Sequence, residues 1–309
     1  MKAIQIHQFG GVEELKYEEA PMPNINPDDV LVKIYATSVN PVDWKVREGA
    51  MKQIPFKFPL ILGWDFSGVI KEVGSEVKDF KVGQEVYGKP DITRNGTYAE
   101  YVAVKANEIA AKPTSVSHTE AASIPLAGLT AWQGIFDHGK TAAGQKILIH
   151  GASGGVGTIA VQLAKWKGAY VIATSSEKNI AFLKELGADK VIDYQQQQFE
   201  KELKDLDFVF DTIGGDTQKK SVEVLKPGGI LITTVAVEDE QPFKAKNIQI
   251  MRFMAQSDVE QLKQMADLID SGKLKPVIDQ VFPLQEIVKA QELSAKGHTR
   301  GKIAIKVTD

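Results

Sequence analysis

The residues best placed to do chemistry lie between positions 146 and 165, KILIHGASGGVGTIAVQLAK. The apolar run Ile147-Leu148-Ile149 has strand character, and it enters a glycine cluster that opens a segment with Val156, Ile159, Ala160 and Leu163 at helical spacing. Strand, tight turn and helix in that order make a cradle for a pyrophosphate. Small residues let the backbone approach the anion, and the first N–H groups of the helix are unpaired and carry the positive end of its dipole. The turn aligns with a dinucleotide-binding fingerprint as Ala152-x-Gly154-x-x-Gly157, which makes Ala152, Ser153, Gly154, Gly155, Val156 and Gly157 the expected phosphate-side residues. Ala152 stands where the fingerprint has its first glycine, so it must keep a negative φ. His150, abutting the turn, reads as a hydrogen-bonded structural histidine.

A site of this kind that selects NAD usually shows an acidic residue about twenty positions after the glycines, on the ribose 2′-hydroxyl. This chain offers Thr174-Ser175-Ser176-Glu177-Lys178. Ser175, Ser176 and Lys178 donate where a carboxylate would repel, which suits the 2′-phosphate of NADPH. Glu177 has the opposite sign and also fits the ordinary preference for acid in a first helical turn, and either serine also serves as an N-cap.

The elements that position these residues follow from pattern. Up to residue 110 the chain reads as an all-β region, with short runs at 2–7, 30–38, 68–73, 85–87 and 98–104 between Gly, Pro, Asn and Asp. From residue 119 helices and strands alternate. After the opening unit come strands at 170–174, 190–194, 208–212, 230–235 and 248–253, with helices at 178–186 and 216–225 and Pro227-Gly228-Gly229 as punctuation. Six strands with helical crossovers predict a doubly wound parallel sheet. An amphipathic helix at 258–270 and strands at 277–282 and 302–307 then return to the first domain.

Composition narrows the partners. With 37 Lys and Arg against 40 Asp and Glu, the net charge of −3 gives no electrostatic reason to expect nucleic acid or an anionic membrane. The absence of cysteine excludes disulfides, thiolate catalysis and thiolate metal sites. The longest uncharged runs, 121–136 and 147–164, are rich in Gly, Ala, Ser and Thr and read as buried segments rather than membrane spans. The N-terminus alternates like a strand and lacks the regions of a secretory signal, which points to the cytoplasm.

Eight ordered segments resemble the medium-chain dehydrogenase/reductase superfamily, and within it the zinc-independent quinone oxidoreductase group. They are SVNPVDWKVREG at 38–49, LGWDFSGVI at 62–70, VGQEVYG at 82–88, GTYAEYV at 96–102, AGLTAW at 127–132, HGASGGVG at 150–157, VFDTIGG at 209–215 and GHTRGKI at 297–303. The resemblance implies an α/β fold in which a Rossmann domain, 120–256, is inserted in a GroES-like β domain made of 1–119 and 257–309. Zinc alcohol dehydrogenases of this superfamily place catalytic ligands where this chain has Asn40, Trp64 and Leu126, and their four-cysteine loop is missing near 89–95. Without a Lewis acid, hydride transfer from NADPH favours a quinone or an α,β-unsaturated carbonyl, whose oxygen charge is spread by conjugation.

The same resemblance places Asn40, Thr130, Thr212 and Val235 or Ala236 at the nicotinamide end and Tyr194 beside the adenosine. Asn40 is then a donor to the substrate carbonyl, or alternatively a turn-stabilising residue before Pro41. Asp43 is a polar group of the same site, or holds its loop through backbone N–H bonds. An enoyl-thioester or 2-alkenal reductase, and a non-catalytic NADPH-binding protein, are the alternative functions. The apolar segment NIQIMRFM at 247–254 is a candidate edge strand, and family resemblance pairs it across a two-fold axis in a homodimer.

Overall fold

The computed structural model describes residues 1–308. Two compact units are formed, Met1–Leu129 with Ser257–Asp309, and Thr130–Gln256. The first crossing thus falls after Leu129 rather than after residue 119, and the second after Gln256.

The spine of the first unit is the strand Asp29–Val39, whose Val30, Val32 and Ile34 alternate onto one buried face with Phe66, Ile70 and Val86 of its neighbours. Burying each of these side chains stabilises the fold by about 1.5–3 kcal/mol. Phe66–Val73 pairs along one edge of the spine; on the other, Tyr101–Lys105 covers its first half and Lys302–Lys306 its second, all antiparallel. The sheet runs Ile278–Pro283, Lys302–Lys306, Asp29–Val39, Phe66–Val73, Glu85–Gly88, Ile109–Ala111. A smaller antiparallel sheet orders Lys16–Glu19, Lys2–Ile6 and Leu60–Ile61. The last strands therefore do complete the first unit.

One helix, Pro41–Arg47, interrupts the region expected to be entirely strands and turns. Its signals are local: Asn40 at the N-cap in an extended conformation, Pro41 at the first position, Asp43 in the first turn.

In the second unit six strands run parallel in the order Lys190–Asp193, Tyr170–Ser175, Lys146–Ile149, Leu206–Asp211, Leu225–Thr233, Gln249–Arg252. This is the doubly wound order with a switch between Lys146–Ile149 and Leu206–Asp211, where open α/β sheets bind ligands at the carboxyl ends of their strands. Pro227-Gly228-Gly229, expected to punctuate a helix, instead lies inside Leu225–Thr233. The pairing jumps from Leu206↔Leu225 to Phe208↔Ile230, so residues 226–229 bulge from the ladder.

In the first unit, Asp270 closes the helix Val259–Asp270 and accepts the amides and hydroxyls of Thr114 and Ser115 at 2.7–3.0 Å. Partial burial raises its pKa, but these four bonds outweigh it and bring the carboxyl down to about 2. A depressed folded-state pKa means stability that is full above the unfolded value near 3.9 and lost as pH falls through about 2. Asp270→Asn is therefore less stable than the wild-type chain at pH 7, and the gap closes between about pH 4 and pH 2. Denaturant unfolding across that range checks this, and parallel pH dependences for the two proteins contradict it.

Candidate functional site

The glycine turn of the second unit is built as a cradle. Gly151 takes φ +68°, and a Cβ there would meet Thr212 Oγ1 at 2.5 Å, so the left-handed residue the turn needs is Gly151. That relieves Ala152, which is not among the positive-φ residues and is fully buried. Gly157 answers a different constraint, because its Cβ would stand 2.3 Å from the Gly151 carbonyl and 2.6 Å from Ala152 Cα. At Gly154, the N-cap of the helix Gly155–Trp166, an added Cβ meets nothing nearer than the Gly151 carbonyl at 3.4 Å. The space over Gly154 is open, and the amides of Gly155, Val156 and Gly157 begin the helix beneath it. This arrangement fits a pyrophosphate.

The neighbouring strand ends converge on the turn. Thr212 follows Leu206–Asp211 and donates its hydroxyl to the His150 carbonyl at 3.0 Å. Its loop is held by Asp211, fully buried, which accepts the amides of Ile213 and Gly214 at 2.9 and 3.0 Å and the Gln218 amide and Thr233 hydroxyl at 3.0 Å. Val235 and Ala236 follow Leu225–Thr233, Val235 half-buried and Ala236 exposed. Thr130, buried, opens the unit within the helix Pro125–Trp132.

On the other side of the turn, the Ala152 amide reaches the Thr174 carbonyl at 3.4 Å and the Tyr194 amide reaches the Ser175 carbonyl at 3.1 Å. The structure thus brings Ser175, Ser176 and Tyr194 to one end of adjacent strands. Ser175 is buried, with its hydroxyl turned to the Ser176 carbonyl at 3.3 Å. Ser176 is half-buried, Lys178 exposed and Tyr194 49% exposed, so these three present the side chains that a ligand can reach. His150 is buried between the Thr174 and Ser221 hydroxyls at 3.0 and 3.1 Å. Ser221 spends its proton on the Thr217 carbonyl, which assigns the imidazole proton to Nε2. Burial lowers the His150 pKa to about 4, so the ring is neutral and structural.

A second polar cluster lies at one end of the large sheet in the first unit, and Asn40 is in it. Asn40 Nδ2 donates to Asp65 Oδ2 at 2.6 Å, and Lys302 Nζ donates to Asn40 Oδ1. Lys302 also donates to the Val39 carbonyl at 3.0 Å and to Asp65 Oδ2 at 3.2 Å. Asp65 accepts the Ser38 hydroxyl at 2.6 Å on Oδ2 and the Leu126 amide at 2.6 Å on Oδ1. The Asn40 side chain therefore joins this network while the residue also caps its own helix, in a capping box with Asp43.

Asp43 sits behind it with no exposed surface, accepting the Asn40 amide at 2.7 Å and the Tyr98 hydroxyl at 2.5 Å on Oδ2. Burial pushes its carboxyl up to about 7, against the lowering by these two bonds. Its Oδ1 has no partner among the described residues, a cost that is smaller for the neutral acid.

The residues at the metal positions do not suit zinc. Asn40 offers an amide, Trp64 a buried indole and Leu126 a backbone N–H already given to Asp65. Among the described residues no three His, Asp or Glu side chains are grouped as metal ligands. Asp65, Lys302 and Asp211 are the residues that sequence reasoning did not single out. Each is a charge set directly against apolar neighbours, Trp64 and Phe66, Ile303-Ala304-Ile305, and Val209-Phe210. That isolation was the available signal, since such charges stay buried only when paired.

Comparison with known proteins agrees with this architecture. Residues 26–114 match the family model of the alcohol dehydrogenase GroES-like domain, and residues 186–305 that of the zinc-binding dehydrogenase. The human mitochondrial NAD(P)H oxidoreductase RTN4IP1 is 37% identical over 99% of this chain and 89% of its own length. The chloroplastic NADPH-dependent alkenal/one oxidoreductase of Arabidopsis thaliana is 36% identical over 99% of this chain and 79% of its own. The solved quinone oxidoreductase of Coxiella burnetii superposes with a TM-score of 0.94 at 37% identity, covering 100% of this chain and 99% of that one. With relatives of this identity along its whole length, the chain belongs to the medium-chain dehydrogenase/reductase superfamily, in its quinone oxidoreductase-like group.

Proposed function

We propose that the protein is an NADPH-dependent, metal-independent reductase of quinones or α,β-unsaturated carbonyls. The observation that carries this reading is the held carboxamide of Asn40, which replaces a metal donor set with a neutral hydrogen-bond donor. Such a donor stabilises charge on an oxygen whose load is already spread by conjugation, and does too little for an unactivated alcohol.

When bound, NADPH supplies the hydride. Gly155, Val156 and Gly157 give the amides that hold the pyrophosphate, with Ala152, Ser153 and Gly154 forming the turn around it. Ser176 and Lys178, set on their loop by Ser175, take the 2′-phosphate, and Tyr194 flanks the adenosine. Thr130, Thr212, Val235 and Ala236 border the nicotinamide end. Asn40 donates to the substrate oxygen while Asp43 holds the Asn40 backbone in place. The proton that completes the reduction comes from solvent or from a polar residue of the site.

We further assign a homodimer to the edge strand Gln249–Arg252, which among the described residues pairs only with Leu225–Thr233 and leaves Met251 43% exposed. Light scattering at micromolar concentration is expected to give twice the chain mass, and a monomer there contradicts the assignment.

The purified chain, mixed with NADPH or NADH and a panel of quinones, short enals and enoyl thioesters, is expected to oxidise NADPH with at least one quinone or enal. Preference for the thioesters redirects the reading to an enoyl-thioester reductase. Tight NADPH binding without turnover of any acceptor makes the protein a non-catalytic NADPH binder. Ser176→Asp places a carboxylate against the 2′-phosphate and is expected to weaken NADPH binding about tenfold or more while changing NADH binding little. Equal effects on both cofactors would remove the 2′-phosphate from this position.

A further inference from the structure

Resting on the reductase reading, we infer that Lys302 and Asp65 form a positioning clamp that fixes the Asn40 carboxamide in one orientation and polarises it as the donor to the substrate oxygen. An amide has one donor end and one acceptor end of nearly equal shape, and in an ordinary site it can sit either way. Here the two partners differ in kind. The Lys302 ammonium can only donate and touches Oδ1; the Asp65 carboxylate can only accept and takes Nδ2 at 2.6 Å. Reversal would set NH₂ against an ammonium and oxygen against a carboxylate.

The clamp is complete on its own side. Lys302 places its three protons on Asn40, Val39 and Asp65. Asp65 is saturated by Ser38, Asn40, Lys302 and Leu126. One Nδ2 proton of Asn40 is consumed, and among the described residues the other has no acceptor, in a residue that keeps only 2% of its surface exposed. That second proton is the one left for the substrate. A positive charge at Oδ1 draws density from the amide and strengthens its N–H as a donor, and the dry surroundings preserve the effect. Stability alone does not account for charges at this depth, because apolar replacement of a buried ion pair is often neutral or stabilising.

The test uses the full chain. Asn40→Ala and Lys302→Met are each expected to lower kcat for a short enal about 10- to 100-fold, with the dissociation constant for NADPH nearly unchanged. Asn40→Ala/Lys302→Met is expected to be no slower than Asn40→Ala alone, since the lysine acts through Asn40. Losses that multiply, or an unchanged kcat in Lys302→Met, overturn the clamp. If Lys302→Met does not fold, Lys302→Met/Asp65→Asn removes both charges and keeps an oxygen acceptor; it is expected to unfold cooperatively yet stay slow, and wild-type turnover in it overturns the clamp. A readout without turnover is the pair of Asn40 side-chain protons in the ¹H–¹⁵N spectrum, identified by their loss in Asn40→Ala. They are expected to be widely separated in the wild-type chain and to converge in Lys302→Met/Asp65→Asn, and an unchanged separation overturns the clamp. If the wild-type chain reduces no acceptor, the reductase reading fails; the spectrum then still decides whether the clamp exists.

Discussion

A carboxylate with no access to water must be saturated by donors from the protein itself, and much of the first unit is arranged around that requirement at Asp65. Its donors come from Ser38 near the end of the long strand and Asn40 just after it, from the Leu126 amide, and from Lys302 at the start of the last strand. Leaving such a group unpaired would cost several kcal/mol, so each donor segment is held by the charge as firmly as it holds the charge. The hydrogen-bonded register does the rest, because Ile303↔Val39 sets Lys302 and Asn40 at the same end of the sheet.

The second unit obeys the same rule with a different payload. Asp211, fully buried where the fourth strand in chain order ends, collects the amides of Ile213 and Gly214 together with Gln218 and Thr233. It thereby shapes the loop that carries Thr212 against the glycine turn, and Thr212 in turn crowds the face of Gly151. In both units a buried acid beside a strand terminus organises the polar groups around it.

How much of this was legible in the sequence depended on the range of the signal. The parallel sheet and the strand–glycine turn–helix unit follow from periodicity and from spacing within a few residues, and both appear where expected. The departure at Ala152 was legible as a demand for negative φ, while its solution, the left-handed Gly151, lay one residue away. The helix Pro41–Arg47 was missed although its cap, proline and first-turn acid were all in view, because the surrounding β pattern dominated the reading. What spacing could not supply was pairing across the chain. Lys302 meets Asn40 across 262 positions and Asp65 across 237. A lone lysine ahead of Ile303-Ala304-Ile305 carries no label for its partner. Asn40 therefore read also as a turn residue, and Asp43 as a polar group of the site or a loop brace, because neither reading names the distant neighbours that the fold supplies.

The insertion of Lys302–Lys306 between Ile278–Pro283 and the long strand has a consequence for biosynthesis. Residues 130–256 are contiguous and contain their whole sheet, so the second unit has all its strands once that stretch has left the ribosome. The first unit, begun earlier, waits for the residues that follow position 256. Until position 302 emerges, Asp65 lacks its cation and the long strand keeps half an edge open. The nascent chain can therefore assemble residues 130–256 before it completes the unit that precedes them, and the ammonium that completes the Asn40 cluster arrives only after the second unit has all its strands.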